Sequence, residues 1–138
     1  MTPDPDTTLF VVATAVIIRR EDTFLAMRRA LTKDAGPGLW EALSGRVEAG
    51  ETPLGTAARE VQEECGLKVR LEPRPVTSYP AMRLGLPMIV IVYRADYQGG
   101  EVTLSGEHDR YAWLTPDAFA ARSSLTPLIH AVRLTFNV

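Results

Sequence analysis

Between Gly45 and Leu67 the chain reads GRVEAGETPLGTAAREVQEECGL, a cluster of acids and bases set within the spacing of a helix. At 3.6 residues per turn, Leu54, Ala58, Val61 and Cys65 fall along one stripe, the pattern of a helix packed on a core. Glu60, Glu63 and Glu64 share a neighbouring strip, and Arg59 lies further round beside Glu63. Carboxylates crowded this closely repel one another, so the strip makes physical sense with a divalent cation among them. The helix ends are marked too. Thr52 can cap the first turn, Pro53 occupies the first position, where its missing N–H is no loss, and Gly66 suits a left-handed stop. The spacing predicts a helix over 53–65, preceded by a tight loop at 46–49 between Gly45 and Gly50.

Taken alone, Arg59-Glu60-Val61-Gln62-Glu63-Glu64 reads as the solvated face of an amphipathic helix, as most charge runs do. The register around it says otherwise. Gly45, Glu51, Arg59, Glu60, Val61, Glu63, Glu64, Gly66 and Leu67 satisfy every specified place of the pattern G, five residues, E, seven residues, R-E-aliphatic-x-E-E-x-G-aliphatic. With each type at ordinary usage, such a match arises by accident about once in a hundred million start positions. The segment resembles the Nudix box, carried by a family of mostly magnesium- or manganese-dependent hydrolases. These split the diphosphate linkage of a nucleoside diphosphate joined to another group.

The resemblance implies metal ligands at Glu60, Glu63 and Glu64, with the carbonyl of Ser44 completing the shell. It implies that Glu60 also assists the attacking water, that Arg59 orients a box glutamate, and that Glu51 is a structural partner at the helix start. Glu107, in the turn Ser105-Gly106-Glu107-His108, resembles the place where many members supply one more carboxylate to metals or base. His108 reads as decoration of a surface turn. Arg28 and Arg29 close a strand at whose end MutT-like members contact substrate phosphates, and a guanidinium fork suits phosphate. Trp40 reads as a packing residue, or as a surface on which a base could stack. Many nucleotide-sanitising relatives carry Gly-Gly where this chain has Ser44-Gly45, a departure from that subfamily.

The residue types suit the chemistry independently of any name. Magnesium takes hard oxygen ligands and keeps waters and phosphate oxygens in its shell, so carboxylates fit where imidazoles or thiolates would not. Such ions clamp a diphosphate, neutralise charge on its bridging oxygen and acidify a water, and a nearby carboxylate takes the proton.

Length and charge set bounds. The chain's 138 residues, 46% of them hydrophobic, suit one domain over 9–138 behind a loose leader at 1–8. A net charge of −2 excludes general affinity for nucleic acid or acidic membranes, while nucleotides can still bind through metal. The apolar stretches 9–18 and 86–93 are too short to span a bilayer and read as buried strands. The lone Cys65 forms no internal disulfide and reads as a core residue, which makes the cytoplasm the default home.

Strands are expected over 9–19, 23–29, 39–43, 88–97 and 110–114, with an interrupted or edge strand over 68–79 around Pro73 and Pro75. Thr115-Pro116 and Thr126-Pro127 each open a short C-terminal helix. Strands interleaved with helices on both sides suggest an α/β/α sandwich around a mixed sheet, the Nudix fold. The expected activity is hydrolysis of a (deoxy)nucleoside triphosphate in the MutT-like manner, with ADP-ribose or dinucleoside polyphosphates as alternative substrates. A non-catalytic nucleotide sensor is the rival from another class, and the family resemblance also allows a homodimer.

Overall fold

The computed structural model describes residues 4–137, so the first three residues of the expected leader lie outside the described part. The described leader residues are exposed and hold only a turn, with the Thr7 amide donating to the Asp4 carbonyl at 2.8 Å. β1 (Val11–Arg20) and β2 (Thr23–Arg29) form the expected hairpin, with Glu21 at the turn. β3 (Trp40–Arg46), α1 (Pro53–Glu64), β4 (Lys68–Leu71), β5 (Thr77–Arg83), β6 (Leu86–Gly99), β7 (His108–Leu114), α2 (Pro116–Arg122) and α3 (Thr126–Phe136) follow.

The strands make one mixed sheet in the order β4-β6-β1-β3-β2-β7, with β5 also on β6. β1 runs parallel to β6 from Val11↔Met88 to Arg19↔Asp96, and the other pairings are antiparallel. β4 and β5 occupy one edge of β6 in succession. The Glu72 amide reaches Arg94 and the Val76 amide reaches Val92, so the chain between them loops out at Pro73 and Pro75. That is the interrupted strand foreseen, and an edge tolerates Pro80 because no partner needs its amide.

Alternation in β1 sends Val16 and Ile18 toward α1, and Ala15 and Ile17 toward α2 and α3. Phe24 anchors the second layer, edge-on to Phe119 at 5.1 Å and to Phe136 at 6.4 Å between ring centres. The architecture is therefore the expected α/β/α sandwich. Among the described residues no helix is long and apolar enough to cross a membrane.

Several local readings change. Ala57, not Ala58, lies on the buried stripe of α1; Ala58 faces solvent, because the helix rolls to carry Glu60 and Glu64 inward. β3 extends through Gly45 and Arg46, so Gly45 is a strand residue. Only Gly50, at φ +87°, serves a left-handed turn there. α3 begins at Thr126 itself, with Leu125 as N-cap and no side-chain cap, while the Ser123 hydroxyl takes the Leu125 amide instead.

Candidate active site

The face of α1 that lies toward the sheet carries Glu60 and Glu64, and the local sequence explains why they sit there. Thr52 Oγ1 accepts the Gly55 amide at 3.0 Å and Pro53 starts the helix, fixing its first turn. Glu51 then gathers four donors: the Glu48 amide, the Thr56 hydroxyl, and Arg59 through Nε at 2.8 Å and Nη2 at 2.9 Å. The Arg59 hydrogen bond, first among these, holds the Glu51 carboxyl at about 2. Arg59 is thereby clamped and turns Nη1 to Glu60 at 2.9 Å and to Glu63 at 3.1 Å.

Glu60 lies 7% exposed against β3, and a Cβ on Gly45 would overlap its carboxylate. The glycine is there to let the acid approach the strand. Burial first, and then the neighbouring Glu64 charge, push the Glu60 carboxyl up to about 7. For Glu64 burial also pushes upward, but hydrogen bonds from His108 and Ser105 outweigh it and hold the group below the usual range. Glu63 is more than half exposed on the outer side of the cluster.

His108 is not surface decoration. It is 5% exposed, with Nδ1 3.1 Å from Glu64 Oε2 and Nε2 2.9 Å from Glu41 Oε2. A carboxylate oxygen beside each ring nitrogen is an arrangement that favours the doubly protonated ring. Burial pushes it down, but the two carboxylates prevail and raise it to about 9.

A bulge in the β2–β7 pairing separates the two arginines. Arg28 pairs with Arg110, Arg29 with His108, and Asp109 is the extra residue. Asp109 takes Arg28 in a bidentate pair at 2.8 and 2.7 Å, turning it away from the acidic cluster. Arg29 instead faces the cluster, donating to the Ala35 carbonyl at 2.7 Å and to Glu41 at 3.1 Å. The structure thus brings Arg29 to the site and does not bring Arg28.

These residues surround a polar pocket of about 260 Å³ in which five carboxylates, Glu48, Glu60, Glu63, Glu64 and Glu107, face five cations, Arg29, Lys33, Arg46, Arg59 and Arg83. Ser44 closes its floor. Glu107 stands half-exposed at the rim, 3.5 Å from Lys33. Beside it opens a mainly apolar cavity of about 510 Å³, walled by Leu39, Tyr79, Ala81, Met88 and Leu128 and sharing Arg29, Ser44 and Arg83 with the polar pocket. Its volume is that of an organic-ligand site. Burial, and then the nearby Glu41 charge, push the Tyr79 hydroxyl up to about 12, so it stays a neutral hydrogen-bonding group there. Trp40 does not line either pocket and packs against the apolar core beneath α2 and α3, with the Arg122 guanidinium 5.4 Å from its ring centre.

Among the described residues no three acidic, His or Cys side chains already converge as a cation cage. Glu60 and Glu63 each give an oxygen to Arg59. The donor set nevertheless fits a hard divalent cation: Glu60, Glu63 and Glu64 offer carboxylate oxygens to one pocket, and Glu60 is buried directly beside Glu64. Glu41, Ser105, Lys33 and Arg83 were not singled out from sequence, and His108 was read there as part of a surface turn. One signal was present: Glu41 is a carboxylate among the apolar residues Leu39, Trp40, Ala42 and Leu43 that lead into the box.

A mixed sheet between helical layers, with a capped acidic helix laid over one of its strands, is a Nudix-type fold. The NUDIX domain model matches residues 9–132. A MutT-like protein of Streptomyces ambofaciens is 33% identical over 124 residues, covering 90% of this chain and 73% of that protein. The NAD-capped RNA hydrolase NudC of Enterobacter sp. (strain 638) is 32% identical over 133 residues, covering 89% of this chain but only 49% of that protein. The crystal structure of MutT protein from Methanosarcina mazei Go1 superposes with a TM-score of 0.82 at 23% identity, over 94% of this chain and 95% of that one. The chain belongs to the Nudix family and is a pyrophosphohydrolase in class. Nudix hydrolases generally use divalent metals.

Proposed function

We propose that the protein hydrolyses a nucleoside or deoxynucleoside triphosphate in the MutT-like manner, with Mg²⁺ or Mn²⁺ held by Glu60, Glu63, Glu64 and the Ser44 carbonyl. The observation that carries this reading is the junction of the two pockets at Arg29, Ser44 and Arg83. An apolar chamber joined to a pocket of alternating charge suits a molecule with a planar apolar end and a polyphosphate end. The cation supplies charge neutralisation along the diphosphate and a more acidic water.

The chain's own groups divide the remaining work. Glu60, buried against β3 beside Glu64 and lining the polar pocket, is the candidate acceptor from the attacking water. Glu107 at the rim is the second carboxylate in reach. Arg59, tied to Glu51, holds Glu60 and Glu63 in place. Arg29 and Arg83 are the candidates for the substrate's phosphates, since both line the two pockets. The lone buried Cys65 suits a reducing compartment, and a cytoplasmic home is part of the same proposal.

The test is a magnesium- and manganese-dependent substrate panel of modified and ordinary triphosphates, ADP-ribose and dinucleoside polyphosphates, with product identification. Release of pyrophosphate and a nucleoside monophosphate is expected. Activity unchanged in Glu60→Gln, or in Glu63→Gln with Glu64→Gln, would remove the assigned roles. Tight nucleotide binding without turnover in either metal would favour the sensor.

A further inference from the structure

We propose that His108, backed by Glu41 and flanked by Ser105, is a positioning residue that decides which oxygen of Glu64 meets the divalent cation. The inference rests on the reading of Glu60, Glu63 and Glu64 as cation ligands. His108 Nδ1 and Ser105 Oγ both lie 3.1 Å from the same Glu64 oxygen, Oε2. With Oε2 taken by both His108 and Ser105, neither of these groups engages Oε1, and Glu64 lines the polar pocket beside Glu60. The imidazole cannot drift from this post: it is 5% exposed, and its other nitrogen is held by Glu41 at 2.9 Å. Glu41 is itself held from the far side by Arg29.

The chain of contacts runs from Arg29 through Glu41 and the ring to Glu64, so the ring is braced on the side away from the carboxylate it holds. As mere filling, this buried network would be a poor choice, because well-packed apolar groups of similar volume serve stability as well or better. As an orienting device it has a clear use. Groups that hydrogen-bond a metal ligand fix its direction, and their loss typically weakens metal binding by about 10–100-fold.

The experiment titrates the full chain with Mn²⁺ alone and follows free Mn²⁺ by electron paramagnetic resonance. It compares the parent with His108→Gln, Glu41→Gln and Ser105→Ala, and with Phe119→Leu as a destabilised control in the opposite core layer. The Mn²⁺ dissociation constant should rise about 10-fold or more in His108→Gln and Glu41→Gln. It should rise several-fold in Ser105→Ala, which removes a hydrogen bond from the same oxygen without changing charge. Phe119→Leu should melt lower yet bind Mn²⁺ like the parent. Affinities of Glu41→Gln and Ser105→Ala within about twofold of the parent would overturn the proposal, since such changes fall far below the loss of a ligand-orienting partner. Should His108→Gln not fold, those two variants decide the matter. If the parent itself takes up no Mn²⁺, the cation reading of the whole pocket falls, and this inference with it.

Discussion

Replacing Glu60 by Gln should make the metal-free protein more stable, in a pH-dependent way. Glu60 is raised from an ordinary 4.5 to about 7 because it is buried and faces Glu64. The sign follows from linkage. A carboxyl whose folded value is raised favours folding when protonated, so that benefit is complete below 4.5 and is lost as pH climbs through about 7. At 1.36 kcal/mol per pH unit the full gap corresponds to ~3 kcal/mol, and sharing between Glu60 and Glu64 leaves on the order of 1–2 kcal/mol for Glu60 itself. A neutral amide of the same shape escapes the penalty, and its carbonyl oxygen can still accept from Arg59, without the charge assistance of the carboxylate. In a domain of this size that gain corresponds to a melting temperature roughly 3–6 °C higher. The assay is thermal unfolding of parent and variant in EDTA at pH 4.5 and pH 8, repeated with MgCl₂. The variant should gain at pH 8 and lose that advantage at pH 4.5, and magnesium should stabilise the parent more than the variant. A variant less stable than the parent at pH 8 in EDTA, or a difference flat across pH, would refute the argument that crowded carboxylates store strain here.

Gly45→Ala should be severe, because the added methyl overlaps the Glu60 carboxylate and must expel it from its niche; a stability loss of about 1–3 kcal/mol in denaturant unfolding is expected, with loss of metal-dependent turnover. His108, raised to about 9, contributes stability that is complete below 6.5 and fades as pH rises through about 9. An NMR titration of the ring together with unfolding at pH 6 and pH 9.5 checks this, and a ring that titrates near 6.5 would contradict it. Arg83→Ala should raise KM for the triphosphate that the panel identifies by about tenfold with little change in kcat, the pattern of lost uniform binding, whereas Arg28→Ala should leave both nearly unchanged. Phe24→Ala, which empties the space against Phe119 and Phe136, should cost about 3–5 kcal/mol by the shift in the denaturant midpoint.

Local chemistry was legible from the chain itself. The capped start at Thr52 and Pro53, the left-handed stop at Gly66 and the spacing of Arg59, Glu60, Glu63 and Glu64 depend on neighbours within a few residues, so they can be read in order. The same holds for the hairpin turn at Glu21 and for the break at Pro73 and Pro75. Strand alternation and buried runs in β1 and β6 were enough to indicate a covered sheet.

What the linear order could not show depends on which distant residues meet. His108 and Glu64 are 44 positions apart and His108 and Glu41 are 67 apart, so the buried bridge exists only once β7 lies beside β2 and α1 packs over β3. The opposite fates of Arg28 and Arg29 turn on one extra residue, Asp109, in a strand register that no single segment encodes. Gly45 looked like a turn residue because glycine is permissive; the fold uses it for the space a missing Cβ leaves to Glu60. The sequence thus determined the acidic helix and the kind of sheet it rests on. Tertiary packing decided which charges are buried, which partner each one meets, and therefore which groups can act.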